Sequence, residues 1–339
     1  MKEAYLYRPL SEGAVQCRVC EHFCAIPPGE FGTCGVRCNH EGTLRSAVYN
    51  HPVSINLDPV EKKPLYHFLP GGEILSIGAY GCNFHCAFCQ NWRISQRRDV
   101  KECAEVGGRI ATPQTLIDIC LRRGVGMIAY TYNEPTVFFE YTYDTARLGH
   151  EHGLHNVYVS NGFMSQEMLE MLAPYLDAIN VDLKAFDDGF YRDHCGGRLE
   201  PVKRNIRTFA QETGVWIEVT TLLIPGLNDS DAELRALVAW LAEVDPEMPW
   251  HISAFRPDYR MIDRPATPAN ALRRAYEIGQ EAGLRYIYLG NVMDPDRGTT
   301  YCPACGEILV QRHWYTVRER WQERGRCPTC GHVVAGVWS

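Results

Sequence analysis

Between Glu73 and Met293, short apolar stretches of strand type alternate with longer stretches of helical type. The strand-like stretches are "EILSIGAYG", "GMIAYTYNEP", "HNVYVSNG", "DAINVDLKA", "GVWIEVTTLLIPG", "WHISAF" and "LRYIYLGNV", rich in β-branched and aromatic residues and closed by Gly, Asn or Pro. Helical spacing runs over Thr112–Arg123, Thr136–Glu151, Ser165–Ala173, Pro201–Glu212, Asp229–Val244 and Pro268–Glu281. Leu234, Leu237, Val238 and Leu241, for example, fall on one helix face. Consecutive βα units imply a parallel sheet, either an open doubly wound one or a full or partial barrel. In each of these, ligands collect at the C-terminal ends of the strands.

A chain of 339 residues with 45% hydrophobic content can bury a sizeable core, and length alone suggests about two domains. Its 34 Lys and Arg against 41 Asp and Glu leave a formal charge of −7, which argues against general attraction to nucleic acid or anionic membrane. Basic runs at "QRR" near Arg97 and "VKRNIR" near Arg204 read as solvated faces. No apolar run is long enough to span a bilayer, and "MKEAYLYRPLSEG" lacks a secretory signal's apolar stretch, so a cytoplasmic location is expected. Fifteen cysteines, an odd number, do not suit a closed disulfide framework in that compartment, and metal binding is the natural alternative.

The cysteines fall into groups: Cys17 to Cys38, Cys82 to Cys89 and Cys302 to Cys330, with Cys103, Cys120 and Cys195 scattered as ordinary semi-buried thiols. These groups mark three segments: an N-terminal Cys-rich part with a flanking extension (1–72), the βα region (73–297) and a C-terminal module (298–339).

The middle group, "GCNFHCAFCQNW", follows the first strand and faces the rim where ligands bind. Three thiolates leave one coordination position open, and open positions are how metal sites do chemistry. An iron–sulfur cubane tied by Cys82, Cys86 and Cys89 would keep one iron free, and a zinc ion with three thiolates and water would also satisfy the count. Polar residues gather on the same rim in "YNEPT", "SNG", "DLK", "PGLND" and "GN". Most such residues serve equally as turns and helix caps. Glu134 and Lys184 stand out, because each puts a charge where a strand runs out.

With Phe88 just before the last cysteine, this loop resembles that of the radical S-adenosylmethionine (SAM) enzymes. The resemblance implies a [4Fe–4S] cluster on Cys82, Cys86 and Cys89, with SAM chelated to the unique iron. It further implies reductive cleavage to methionine and a 5′-deoxyadenosyl radical that abstracts a substrate hydrogen. An electron donor such as flavodoxin or ferredoxin would be required. "GCNFHCAFCQNW" followed by "YNEP" is similar to the branch containing pyruvate formate-lyase activating enzyme, where the second strand commonly ends in Gly-Gly-Glu. Here Tyr132 and Asn133 replace the glycines, which puts in question the backbone geometry that paired glycines allow. Glu134 matches and would take the SAM ammonium. Asp182 and Lys184 match that branch's D-x-K, with Lys184 suited to the SAM carboxylate. Asn133, Asn161 and His251 complete the expected SAM shell, although His251 reads equally as a core histidine.

The flanking groups are of another kind. "CPACG" and "CPTCG" offer Cys302, Cys305, Cys327 and Cys330 as paired knuckles, the four-thiolate set that structural zinc prefers, with rubredoxin-type iron as the alternative. "CRVCEHFC" and "GTCGVRC" offer Cys17, Cys20, Cys24 and Cys34 for zinc or a second iron–sulfur cluster, with Cys38 as an extra or alternative ligand. Together with "DPVEKKPLYHF" and "YTYNEPT", the arrangement resembles the radical SAM member of the AmmeMemoRadiSam set. That resemblance implies a partial (β/α) barrel and operation beside Memo-like and Ammecr-like proteins. Three readings follow: a radical SAM enzyme with an unidentified substrate, an activase of a glycyl-radical enzyme, and a metal-stapled binding protein without catalysis.

Overall fold

The computed structural model describes residues 1–96 and 108–339; Cys103 and the basic run at Arg97 lie outside the described residues. The strand-like stretches form Glu73–Gly78, Met127–Tyr130, His155–Ser160, Ala178–Asp182, Trp216–Leu223, Trp250–Ala254 and Ile287–Gly290, each parallel to its neighbour. They pair strictly in sequence order. An open doubly wound sheet reverses its order at a switch point; this one never reverses, so it curls in one direction as a barrel does. Among the described residues its two edges do not pair, and the barrel is partial.

One edge is a strand that its composition hides. Ser54–Pro59 runs antiparallel to Glu73–Gly78, in register from Ser54 opposite Gly78 to Pro59 opposite Glu73. The extension before residue 73 therefore contributes an eighth strand to the main sheet. "SINLDP" carries few β-formers, and tertiary pairing overrides local preference here.

Helices connect the parallel strands, beginning where the sequence supplies caps. Thr112, Ser165 and Ser230 each accept a hydrogen bond from the backbone N–H three residues on. The helix Asp231–Val244 buries Leu234, Leu237, Val238 and Leu241, the face expected from their spacing. The stretch from Thr136 opens differently, with a tight 3-10 turn over Pro135–Phe138 before the α-helix Phe139–Glu151.

Two small antiparallel sheets make the N-terminal part, one of them holding Arg37–His40. Arg37 is tied to Glu140 of the helix Phe139–Glu151 by paired hydrogen bonds of 2.7 and 2.8 Å, with both side chains buried. Burying a charge requires such a partner, so this pair fixes the N-terminal part against the barrel.

The C-terminal module is a three-stranded sheet of Thr300–Tyr301, Ile308–His313 and Thr316–Glu319. Its core of Leu309, Val310, Val334 and Trp338 is shared with Tyr286 and Tyr288 of the barrel's last strand region. His67 locks the join. Its Nδ1 donates to the Ala335 carbonyl at 2.7 Å, its Nε2 accepts from Tyr288, and its backbone carbonyl accepts from Val337 N–H at 2.7 Å. Burial lowers the His67 pKa to about 4, so the ring stays neutral. Among the described residues no helix is long and apolar enough to cross a membrane.

Candidate active site

The loop after the first parallel strand carries Cys82, Cys86 and Cys89, and backbone contacts from distant segments hold it. Gly81 N–H donates to Ile94, His85 N–H to Cys195 and Ala87 N–H to His194, while Arg260 N–H donates to Ala87. Gly81 turns at φ +88°, and a Cβ there would stand 2.7 Å from the Cys34 carbonyl oxygen, so the position admits only glycine. Phe84 packs against Phe163 and Tyr191, and Phe88 is buried near Phe190.

These cysteines open onto a cavity of about 830 Å³ at the C-terminal ends of the strands. Phe88, Asn133, Glu134, Asn161, Asp182 and Lys184 line the same cavity, so the structure brings together six of the seven residues expected around SAM. His251 is the exception. It sits one layer below the rim, where its Nε2 meets Glu218 Oε2 at 2.6 Å, whereas Ser253, two residues further along the strand, reaches the cavity. Side chains two apart share a strand face, and His251 lies nearer the strand's start. Its place is in a buried polar cluster around Glu218, which also accepts from Tyr66 and His67 N–H groups.

Glu134 is buried, and its carboxylate is already well occupied. Oε1 accepts from Thr136 N–H, Thr136 Oγ1 and Ser160 Oγ at 3.1, 2.6 and 2.8 Å, and Oε2 accepts from Asn161 N–H at 2.7 Å. Burial raises its pKa against the pull of those bonds. Glu134 thus also caps the turn that begins at Pro135. Lys184 Nζ pairs with Asp182 Oδ2 at 2.9 Å on the cavity wall, giving a cation whose partner is itself partly exposed.

Tyr132 answers the question raised by the missing glycines. Its φ is +70°, the left-handed conformation that glycine adopts without a steric penalty. A tyrosine holds it because its neighbours fix it: its hydroxyl donates to Asp58 Oδ2 at 2.6 Å, Asn91 Nδ2 donates to its carbonyl at 2.6 Å, and Lys63 Nζ lies 5.0 Å from its ring centre. Asn133 bridges inward, with Nδ2 donating to the Gly81 carbonyl at 2.7 Å. The second strand's exit therefore braces the cysteine loop directly.

Several lining residues lay outside the expected set. Asp58, Lys62 and Lys63 form a charged group on the wall: Lys63 Nζ and Lys62 Nζ reach Asp58 at 2.8 and 2.9 Å. Burial works to raise the Asp58 carboxyl, but hydrogen bonds from Lys63, Tyr132 and Lys62 outweigh it and hold it well below the usual range. The sequence signal was "DPVEKKPLYHF", where four charges, Asp58, Glu61, Lys62 and Lys63, fall within six residues. Cys195 gave no such signal. It is fully buried behind the loop in thiol contact with Cys86, and is not the isolated thiol its spacing suggested.

The flanking groups differ from each other. Cys302 and Cys330 approach to 3.6 Å, as do Cys305 and Cys327, and all four sulfurs lie within 4.8 Å of one another. A tetrahedral ion with 2.3 Å bonds sets its sulfurs about 3.8 Å apart, so this group is arranged for a single ion. Cys17, Cys20, Cys24 and Cys34 line one small enclosed void. Cys38 does not line it; it is buried on the neighbouring strand and is disulfide-bonded, which removes it as an alternative ligand.

A model of the Radical SAM superfamily matches residues 76–238. Over 337 residues the chain is 38% identical to "Uncharacterized protein MJ0808" of Methanocaldococcus jannaschii, spanning 98% of this chain and 99% of that one. It is 23% identical over 222 residues to the same organism's "Putative glycyl-radical enzyme activating enzyme MJ1632", covering 64% of this chain and 79% of the relative. The fold is similar to that of Streptococcus suis SuiB bound to S-adenosylmethionine, at 16% identity and a TM-score of 0.50, over 68% of this chain and 53% of that chain.

Proposed function

The chain belongs to the radical SAM superfamily and is an enzyme of that type, and from this premise we propose that it cleaves SAM reductively at a cluster on Cys82, Cys86 and Cys89 and abstracts hydrogen from a substrate in the same cavity. The observation that carries this reading is that the three thiols, Glu134, Asn161, Asp182 and Lys184 all face one cavity. A [4Fe–4S] cluster and SAM bound there would supply the one-electron cleavage of the C5′–S bond and the 5′-deoxyadenosyl radical. The residues fit those groups. Three cysteines leave one iron position for a non-protein ligand. A volume of about 830 Å³ is within the range of cofactor sites.

The chain's own residues then have distinct tasks. Lys184 supplies a cation for the SAM carboxylate, held forward by Asp182. Glu134 Oε2 has one hydrogen-bond partner against three on Oε1, which leaves it capacity to accept from the SAM ammonium. Asn133 and Asn161 brace the cysteine loop, the latter donating to Asn83 Oδ1 at 2.7 Å. The test is anaerobic reconstitution with iron and sulfide, then dithionite and SAM: methionine and 5′-deoxyadenosine are expected. A colourless protein that binds only zinc would sink the proposal.

A second reading, activation of a glycyl-radical enzyme, draws on the activating-enzyme name of the relative aligned over 222 residues. It requires a partner's glycine loop to enter the cavity. Exposed Trp314 and Tyr315 line a smaller adjoining cavity that shares Lys62, Pro64, Ser253 and Asn291 with the main one, placing apolar surface beside the mouth. The binding-protein reading without catalysis does not survive family membership.

A further inference from the structure

We infer that Cys17, Cys20, Cys24 and Cys34 hold a second iron–sulfur cluster, packed against the back of the loop that carries Cys82, Cys86 and Cys89. The four thiols line one enclosed void, which is also walled by Arg37 and Asn83. Both of those residues are buried, and each keeps a donor without a well-formed hydrogen bond: Arg37 Nε, on a guanidinium that interacts with the Cys17 thiol, and Asn83 Nδ2. An unsatisfied buried donor costs roughly 1–3 kcal/mol, so two beside one void call for an acceptor inside it. Anionic thiolate and sulfide sulfur at a metal cluster are acceptors of that kind, and hydrogen bonds to cluster sulfurs are a usual feature of such sites.

The spacing separates a cluster from a single ion. In the C-terminal group four sulfurs lie within 4.8 Å of one another, the arrangement one tetrahedral ion takes. Among the described residues no three of Cys17, Cys20, Cys24 and Cys34 meet that limit, although all four face one void. They are set around something wider than one ion, and four thiolates are the ordinary ligand set of an iron–sulfur cluster. The ring of ligands is also well supported. His22 Nε2 lies 2.8 Å from the Asn83 carbonyl, Cys34 abuts Gly81, and Cys20 forms a bridge with Met164.

This assignment does not depend on SAM chemistry, and its test avoids it. The full chain carrying Cys82→Ala, Cys86→Ala and Cys89→Ala is reconstituted anaerobically with iron(II) and sulfide, desalted, and assayed for iron, zinc and acid-labile sulfide, with electron paramagnetic resonance after dithionite. The proposal expects iron and labile sulfide in about equal amounts and the signal of a reduced cluster. The C-terminal tetrad, built for one ion, supplies no sulfide of its own. A protein without labile sulfide, whether loaded with zinc or with nothing, would overturn it. Adding Cys20→Ser and Cys34→Ser should then remove the sulfide. Sulfide persisting in that variant would place the cluster elsewhere and equally defeat the assignment.

Discussion

At the C-terminal knuckles four sulfurs face one another, whereas at the barrel mouth three sulfurs face a cavity. Two of the four C-terminal cysteines are exposed, yet the group is closed, because every ligand position of one ion is filled by protein. The three loop cysteines are more deeply set, and in the function proposed above they are chemically open, leaving one position for a non-protein ligand. Burial is thus a poor guide to reactivity in this molecule. What decides it is whether the thiols complete a coordination shell among themselves.

The sharpest way to break that distinction is to remove ligands from each site in turn. Cys86→Ala should abolish 5′-deoxyadenosine formation and deplete loop iron while leaving the C-terminal metal in place. Cys302→Ser with Cys305→Ser should strip that metal and leave the loop cluster's absorption intact. Metal analysis beside a product assay checks both. If the C-terminal variant lost the loop cluster and kept its metal, the closed and open labels would have to be exchanged.

A second test concerns how firmly the closed module is joined to the open barrel. His67 is buried and neutral at the join, with its pKa lowered to about 4 against an ordinary value near 6.5. As pH falls below 6.5 the unfolded chain takes up a proton that the folded chain refuses. Stability from this residue is therefore present above about pH 6.5 and lost progressively toward pH 4, by roughly 3 kcal/mol in all. Urea denaturation between pH 7 and 4.5 should show this slope, and His67→Phe should flatten it whatever its own stability. An unchanged slope would mean that the join opens to solvent.

The third test stays at the open site. Lys184→Ala removes no iron ligand, so iron and sulfide should remain at wild-type content. It deletes one charge-assisted contact of about 1.5–3 kcal/mol, or about ten- to a hundredfold in SAM affinity. Calorimetric titration of SAM into the reconstituted protein reads the effect. Normal SAM affinity in this variant would remove Lys184 from the pocket and leave its pairing with Asp182 as surface chemistry.

How much of this was legible in the sequence follows from the range of the interactions concerned. The parallel strands, their helices and the C-x3-C-x2-C loop are local patterns, and period, caps and spacing suffice to read them. The edge strand Ser54–Pro59 was not legible, because its pairing partner, not its composition, makes it a strand. Strand-end position placed Glu134 and Lys184 on the rim, but the same rule placed His251 there, and depth along a strand is set by tertiary register. Cys195 reached Cys86 only through the fold. The group of Asp58, Lys62 and Lys63 was visible as closely spaced charges, yet nothing local tells a solvated run from one folded inward.

Tyr132 supplies the last and smallest test, because it asks whether the open site carries backbone strain that the closed one does not need. A non-glycine residue at φ +70° costs on the order of 1–2 kcal/mol, and here the hydroxyl bond to Asp58 and the bond from Asn91 to the carbonyl offset it. Tyr132→Ala and Tyr132→Gly both delete the ring and the hydroxyl. They differ in whether the remaining backbone is strained, and in the greater freedom of glycine in the unfolded chain, worth about 0.4–1 kcal/mol in the opposite direction. The left-handed penalty is the larger, so Tyr132→Gly should be the more stable of the two by up to about 1.6 kcal/mol, the reverse of the usual order. Urea midpoints of the pair decide it. If alanine proved the more stable, the backbone at residue 132 would not be left-handed in solution, and the tyrosine would be acting as an ordinary cavity wall.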